Sequence, residues 1–215
     1  MRDATILPAG LTSALFGRMV TSDPAANIDA PIHVAHAFTV HQEETESDYF
    51  VAIDDLKRDE DDSGADTIQE TELTSGLFYG YVVVDVPALI KNCNGDKALA
   101  AEVVHNLIYL IAEISPGAKL GSTAPYGRAE MVLVEAGDRQ PRSLSTAYRT
   151  AVKPDLATAM AATRDHLAEM DRNYETAERR RALTLWNGEL PNAQRASIRE
   201  IAAWTKAAVT NGEAA

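Results

Sequence analysis

Two residue pairs carry side chains suited to holding a nucleobase: Arg18-Met19 and Tyr49-Phe50. An unbranched methionine and an aromatic ring can flank a base whose stacking partner has been removed, a contact that tolerates any sequence. Arg18 can reach a phosphate. The competing reading places Met19 and Phe50 in a core and Arg18 on the surface. Three histidines, His33, His36 and His41, raise metal ligation. Their spacings of three and five do not converge on one face of a strand, and no cysteine lies nearby. No metal site is therefore expected, and structural histidines are favoured, with His41 at the root of the acidic insertion.

Carboxylates suggest a second chemistry. Asp54-Asp55 and the acidic run 59–62 could hold Mg²⁺ for phosphodiester cleavage, provided two or three converge rigidly beside a general base. Four adjacent acids followed by Ser63-Gly64 equally describe a solvated loop spread by like-charge repulsion. Ser75-Gly76 and the loop 119–126, with Lys119, Ser122 and Thr123, offer hydroxyls, a cation and glycine-exposed amides to phosphate oxygens. A Gly-Ser-Thr loop is as often only a turn.

These groups need elements to position them. Residues 11–22 alternate around Gly17 as a strand with a close backbone approach would. Ser22-Asp23-Pro24 marks a turn or helix start. Residues 32–40 read as extended, and 77–86 as the most strongly β-forming segment, bounded by Gly76 and Pro87. Between them polarity rises sharply, and the flanks of this insertion can pair into a hairpin-like projection. Asp96 caps a helix over 96–114, in which Leu99, Val103, Leu107, Leu110 and Ile114 recur at helical steps. A strand is expected at 130–135, then helices at about 143–152, 155–181 and 192–209. The whole reads as an α/β sandwich with part of a ferredoxin-like sheet and a helical C-terminal region.

Composition sets the outer bounds. The 215 residues are 46% hydrophobic, enough for one sizeable core. No run of about 18 apolar residues predicts a membrane span, and the opening decapeptide lacks the apolar stretch of a secretory signal. One cysteine, Cys93, permits no internal disulfide and suits a reducing, cytoplasmic setting; it is expected as a small buried hydrophobe. The formal charge of −12 argues against a free-standing nucleic-acid binder. Residues 43–72 hold thirteen acidic and two basic residues, leaving 19 acidic against 18 basic elsewhere. Composition neither demands RNA nor forbids it.

Four ordered blocks are more specific: Gly-Arg-Met-Val-Thr-Ser (17–22), Ala-His-Ala-Phe-Thr-Val-His-Gln (35–42), Tyr-Phe-Val-Ala-Ile-Asp-Asp-Leu (49–56) and Thr-Ser-Gly-Leu-Phe-Tyr (74–79). Together they resemble the CasC family, the repeated backbone subunit of Cascade, the type I-E CRISPR surveillance complex. The resemblance implies a partial RRM-like palm (1–42 and 76–215) with a thumb-like acidic insertion (43–75). It implies a non-catalytic subunit in antiviral defence that binds crRNA and a target DNA strand, with no cofactor. Other copies of itself and other Cascade subunits are the implied protein partners. Arg18, Met19, Thr21, His41, Tyr49, Phe50, Ser75, Lys119, Ser122 and Thr123 become RNA-binding candidates, with a displaced guide base near Met19 and Phe50.

The resemblance is strong over 11–135 and thins afterwards; the tail, with the run Arg179-Arg-Arg181 and Trp204, matches only in its helical character and its Trp-containing end. The family's opening strand, its Ser-Ser-Gln-Ser-Leu-Lys-Arg-type helix and its helical finger have no counterpart, so a broken gene, a displaced start or a split product is expected. Backbone subunits of type III complexes cut RNA through an aspartate. A metal-dependent ribonuclease using Asp54 and Asp55 is therefore the alternative, and an RNA-free truncated interaction remnant is a third.

Overall fold

The computed structural model describes residues 10–52, 67–115, 117, 121, 124–176 and 178–212. The fold is mixed α/β, with small sheets and five helices among the described residues. The described residues open with α1 (Gly10–Phe16) and, after a 3-10 turn at Pro24–Ala26, enter an interrupted antiparallel ribbon. Its outgoing strands are β1 (Ile32–Val34), β2 (Phe38–Thr39) and β3 (Glu44–Ala52); its returning strands are β4 (Thr67–Ser75), β5 (Phe78–Tyr79) and β6 (Val82–Val84). They pair as nested couples, β1 with β6, β2 with β5 and β3 with β4. The hairpin expected from the flanks of the insertion is therefore present.

Register shows where the ribbon bends. Val34 faces Val82 and Phe38 faces Tyr79, so the outgoing chain spends one residue more than the returning chain between these pairs. Thr39 faces Phe78 and Glu44 faces Ser75, which adds two more. Extra residues in one strand of an antiparallel pair are bulges, and they turn the strand direction. Beyond the second bulge, Thr45, Glu46 and Ser47 are all exposed. Successive strand residues point to opposite faces. Neither face of the ribbon is thus covered at these residues.

The body is built by α2 (Val86–Asn92), α3 (Lys97–Glu113), β7 (Met131–Ala136), α4 (Leu156–Tyr174), β8 (Arg179–Thr184), β9 (Ala193–Arg195) and α5 (Ile198–Asn211). Asp96 caps α3 as expected, its Oδ1 accepting the Leu99 N–H at 2.9 Å. Ser197 and Glu200 form a reciprocal capping box on α5. Strand β8 pairs antiparallel with β7 and parallel with β9. Helices α3 and α5 cover one face of this sheet, where Ile108, Ile201 and Ala202 meet Val134 and Leu183. Helix α4 covers the other, where Met160 meets Ala182, Leu133 and Met131. A third cluster around Leu89, Cys93 and Val104 joins α2, α3 and α5 to Leu15 of α1. Cys93 is buried, as expected, and burial pushes its thiol up.

Four expectations are corrected. Residues 11–22 are not a strand: Leu11, Ala14 and Leu15 recur at helical steps, and α1 ends where the Gly17 N–H bonds the Ser13 carbonyl at 3.0 Å. The close approach at Gly17 is real. Its φ is +76°, and a Cβ there would sit 2.7 Å from the Ile28 carbonyl oxygen. The segment 143–152 holds only a 3-10 turn, Ser145–Tyr148. The helix expected over 155–181 stops at Tyr174, where Glu175 turns left-handed, and Arg179, Arg180 and Arg181 lie in β8. The one expected over 192–209 is β9 followed by α5. In the last two cases strand residues were absorbed into a helix because alternation over three to six residues is a weak local signal that sheet pairing overrides.

Candidate nucleic-acid interface

Arg18, Met19 and Thr21 stand on a closed loop between α1 and β1. Arg18 and Ile28 exchange two backbone hydrogen bonds, each 2.9 Å, and the Asn27 side chain accepts the Val20 N–H at 2.6 Å. Asn92 of α2 then ties the loop to the body, its Nδ2 donating to the carbonyls of Ala14 and Asp29 at 3.0 and 2.9 Å. The Arg18 guanidinium donates to the Ala26 carbonyl at 3.3 Å and is otherwise exposed. Met19 is 82% exposed, which overturns the reading of this side chain as core. A fixed loop holding a bare thioether in water has no folding reason for it.

His41 and Ser75 meet at the ribbon root. With Gln42, Gly76, Leu77 and Pro154 they line a pocket of about 250 Å³. His41 is buried, and both ring nitrogens are used. Its Nε2 accepts the Leu77 N–H at 3.0 Å, so Nδ1 carries the proton and donates to the Gln42 carbonyl at 2.7 Å. His41 is thus a satisfied structural histidine. His33 bonds the Ala30 carbonyl through Nε2 at 3.0 Å, and His36 is exposed. Among the described residues, no group of three His, Cys, Asp or Glu could hold a metal ion.

Tyr49 and Phe50 lie on β3, opposite Glu70 and Gln69 of β4. Asp54, Asp55, the run 59–62, Lys119, Ser122 and Thr123 lie outside the described residues. Glu43, Glu46 and Glu72 are exposed at the ribbon root, a negative field that repels phosphate.

Sequence reasoning missed the groups that seat the ribbon. Phe38, Tyr79 and Tyr148 form an aromatic trio with centroids 5.5 to 6.4 Å apart. The Tyr79 hydroxyl accepts the Leu144 N–H at 2.9 Å, and Tyr148 bonds Thr163 of α4 at 2.5 Å. Burial pushes the Tyr148 phenol up. Val152 donates its N–H to the Val40 carbonyl at 3.0 Å, a bridge beside His41. Only the alternation of 38–40 against 77–79 hinted at this; their partners are more than sixty residues away.

The family model of the CT1975-like proteins matches residues 2–207. The chain belongs to that family. The resemblance to the CasC family carried by the four motif blocks is thereby borne out, and the matched stretch extends past residue 135 to residue 207. This CT1975-like chain is also similar to two solved chains. One, titled "CRISPR RNA-guided surveillance complex, pre-nicking", superposes with a TM-score of 0.85 at 25% identity, over 93% of this chain and 56% of that one. The other, titled "CRISPR RNA-guided surveillance complex", gives 0.80 at 26% identity, over 94% of this chain and 81% of that one. The chain thus spans little more than half the length of the first. No curated protein matches the sequence. Among the described residues, no helix is long and apolar enough to cross a membrane.

Proposed function

We propose that this chain is a non-catalytic, guide-RNA-binding backbone subunit of a type I-E CRISPR Cascade complex, acting in antiviral defence in the cytoplasm. Its partners are crRNA, the target DNA strand, further copies of itself and other Cascade subunits. The observation that carries this reading is the likeness over 93% of the chain to a solved chain titled as part of an RNA-guided surveillance complex. In it, the body built on β7, β8 and β9 and the ribbon root serve as an RRM-like palm, and 43–75 as a thumb laid across the guide. Met19 on its fixed loop and Phe50 on β3 flank a displaced base, while Arg18, Thr21, Ser75, Lys119, Ser122 and Thr123 reach the guide backbone. Tyr49 completes the thumb contact, with His41 at the root of the thumb.

The test is purification followed by measurement of co-eluting RNA, then incubation of the protein with labelled RNA and Mg²⁺. Bound, uncut RNA is expected. Cleavage abolished by Asp54→Ala would replace this reading with the ribonuclease alternative. A preparation free of RNA that takes up none would leave only an interaction role.

A further inference from the structure

We infer that His41 is a positioning residue, whose imidazole stands in for a missing strand partner at the double bulge and fixes the direction in which β3 and β4 leave the body. The register demands such a device. Between the pairs Thr39–Phe78 and Glu44–Ser75, residues 40–43 face only 76 and 77, so the ladder loses its match. Leu77 keeps half of it, its carbonyl accepting the Val40 N–H at 2.9 Å. Its own N–H goes instead to His41 Nε2 at 3.0 Å, across thirty-six residues of chain. The Nδ1 proton, donated to Gln42 next door, locks the ring plane. The Leu77 N–H is part-buried, and leaving it without an acceptor is costly, so the bulge holds this geometry while the ring is there.

Two neighbours make the ring immovable. Gly76 packs flat against it: a Cβ at that position would lie 3.1 Å from His41 Nε2 and 3.0 Å from the Thr39 methyl. Val152, paired in parallel with His41 and bonded to Val40, fixes the outgoing strand from the other side. Since β3 and β4 pack chiefly on each other, the direction of the ribbon is decided at this root. The step from direction to RNA rests on the function proposed above. A ribbon aimed away from the Met19 loop loses the second wall of the base site, with no contact to RNA itself removed.

Spin labels at Ser47→Cys on β3 and Arg199→Cys on α5, both exposed, report the ribbon direction in the full chain without RNA; Cys93 is buried and stays unlabelled. The parent should give one narrow distance distribution. His41→Leu, similar in bulk but without an acceptor, should broaden it, and so should Gly76→Ala, which pushes the ring aside. His41→Gln, whose carbonyl oxygen reaches about as far as Nε2, should restore the narrow distribution. Affinity for labelled guide RNA should follow the same order, falling about tenfold in His41→Leu and recovering in His41→Gln. Identical distributions in the parent, His41→Leu and Gly76→Ala would overturn the positioning role whatever the RNA does, as would failure of His41→Gln to rescue. Broadened distributions with unchanged RNA affinity would keep the hinge and strike down the thumb reading instead.

Discussion

Arg180 of β8 holds Asp171 of α4 through two parallel hydrogen bonds, Nη1 to Oδ2 at 2.5 Å and Nη2 to Oδ1 at 2.6 Å. The guanidinium side chain is 1% exposed, and its Nε also donates to Glu135 of β7 at 2.5 Å. Arg142 adds a hydrogen bond to Glu135 at 2.8 Å and an ion pair with Glu178 at 3.3 Å. Two cations thus neutralise most of three carboxylates beneath α4. Removing Arg180 leaves Asp171, Glu135 and Glu178 to share Arg142 alone in a largely buried site. Arg180→Ala should cost about 3–5 kcal/mol, read as a fall in melting temperature of roughly 6–20 °C. An unchanged melt would show that the carboxylates recover water.

The same cluster sets an acid limit. Burial acts to raise the Asp171 carboxyl, but bonds from Arg180 and Thr176 and the charge of Arg142 outweigh it and hold it below the ordinary range. Glu178 is also held low, with burial opposing and a backbone hydrogen bond and Arg142 prevailing. A depressed folded-state value contributes stability that is fully present above the unfolded values, about 3.9 for Asp and 4.3 for Glu. That stability is lost as pH falls through the folded values. Melting temperature should therefore hold from neutral pH down to about pH 5 and drop below it, more gently in Arg180→Ala. An equally steep drop in both would place the acid sensitivity elsewhere.

Tyr148→Phe removes the hydroxyl bonded to Thr163 and Ala159 while keeping the aromatic trio. Thr163 retains its own bond to the Ala159 carbonyl at 3.1 Å. The expected loss is about 1 kcal/mol, in chemical denaturation with an unchanged slope. A change in slope would mean that the trio itself had loosened.

Phe50→Ala separates stacking from packing. Under the proposed function it should cost about 1–3 kcal/mol of RNA affinity per occupied site and leave the salt slope alone. Repetition along a filament would amplify the loss. A core role predicts instead a stability loss of about 3–5 kcal/mol with RNA affinity unchanged.

Salt dependence tests the charge argument. Acidic residues surround the ribbon root, and Arg18 is the exposed cation of the Met19 loop. Few phosphates can be neutralised, so RNA binding by this chain should be weak, with a shallow slope of log affinity against log salt. A slope equivalent to six or more ions, at about −0.9 each, would show a phosphate grip beyond the ribbon root and the Met19 loop.

The sequence alone determined what depends on neighbours in the chain. The Asp96 cap and the helical steps of Leu99, Val103 and Leu107 specify α3, because capping and side-chain periodicity act within a few residues. The β-rich flanks of the acidic insertion determined that it would pair with itself. The motif blocks carried the family, since ordered residues survive where single ones coincide by chance. Tertiary structure decided what depends on distant partners. Arg180 became a strand residue because Glu135 and Asp171 neutralise it and β7 pairs it, none of which the run Arg179-Arg-Arg181 reveals. His41 became the keystone of a bulge because Leu77 lacks a strand partner there. Met19, an ordinary core residue by type, stands in water because Asn92 and Ile28 hold its loop outside the core. Burial and register are properties of pairs far apart in the chain, and no local pattern encodes them.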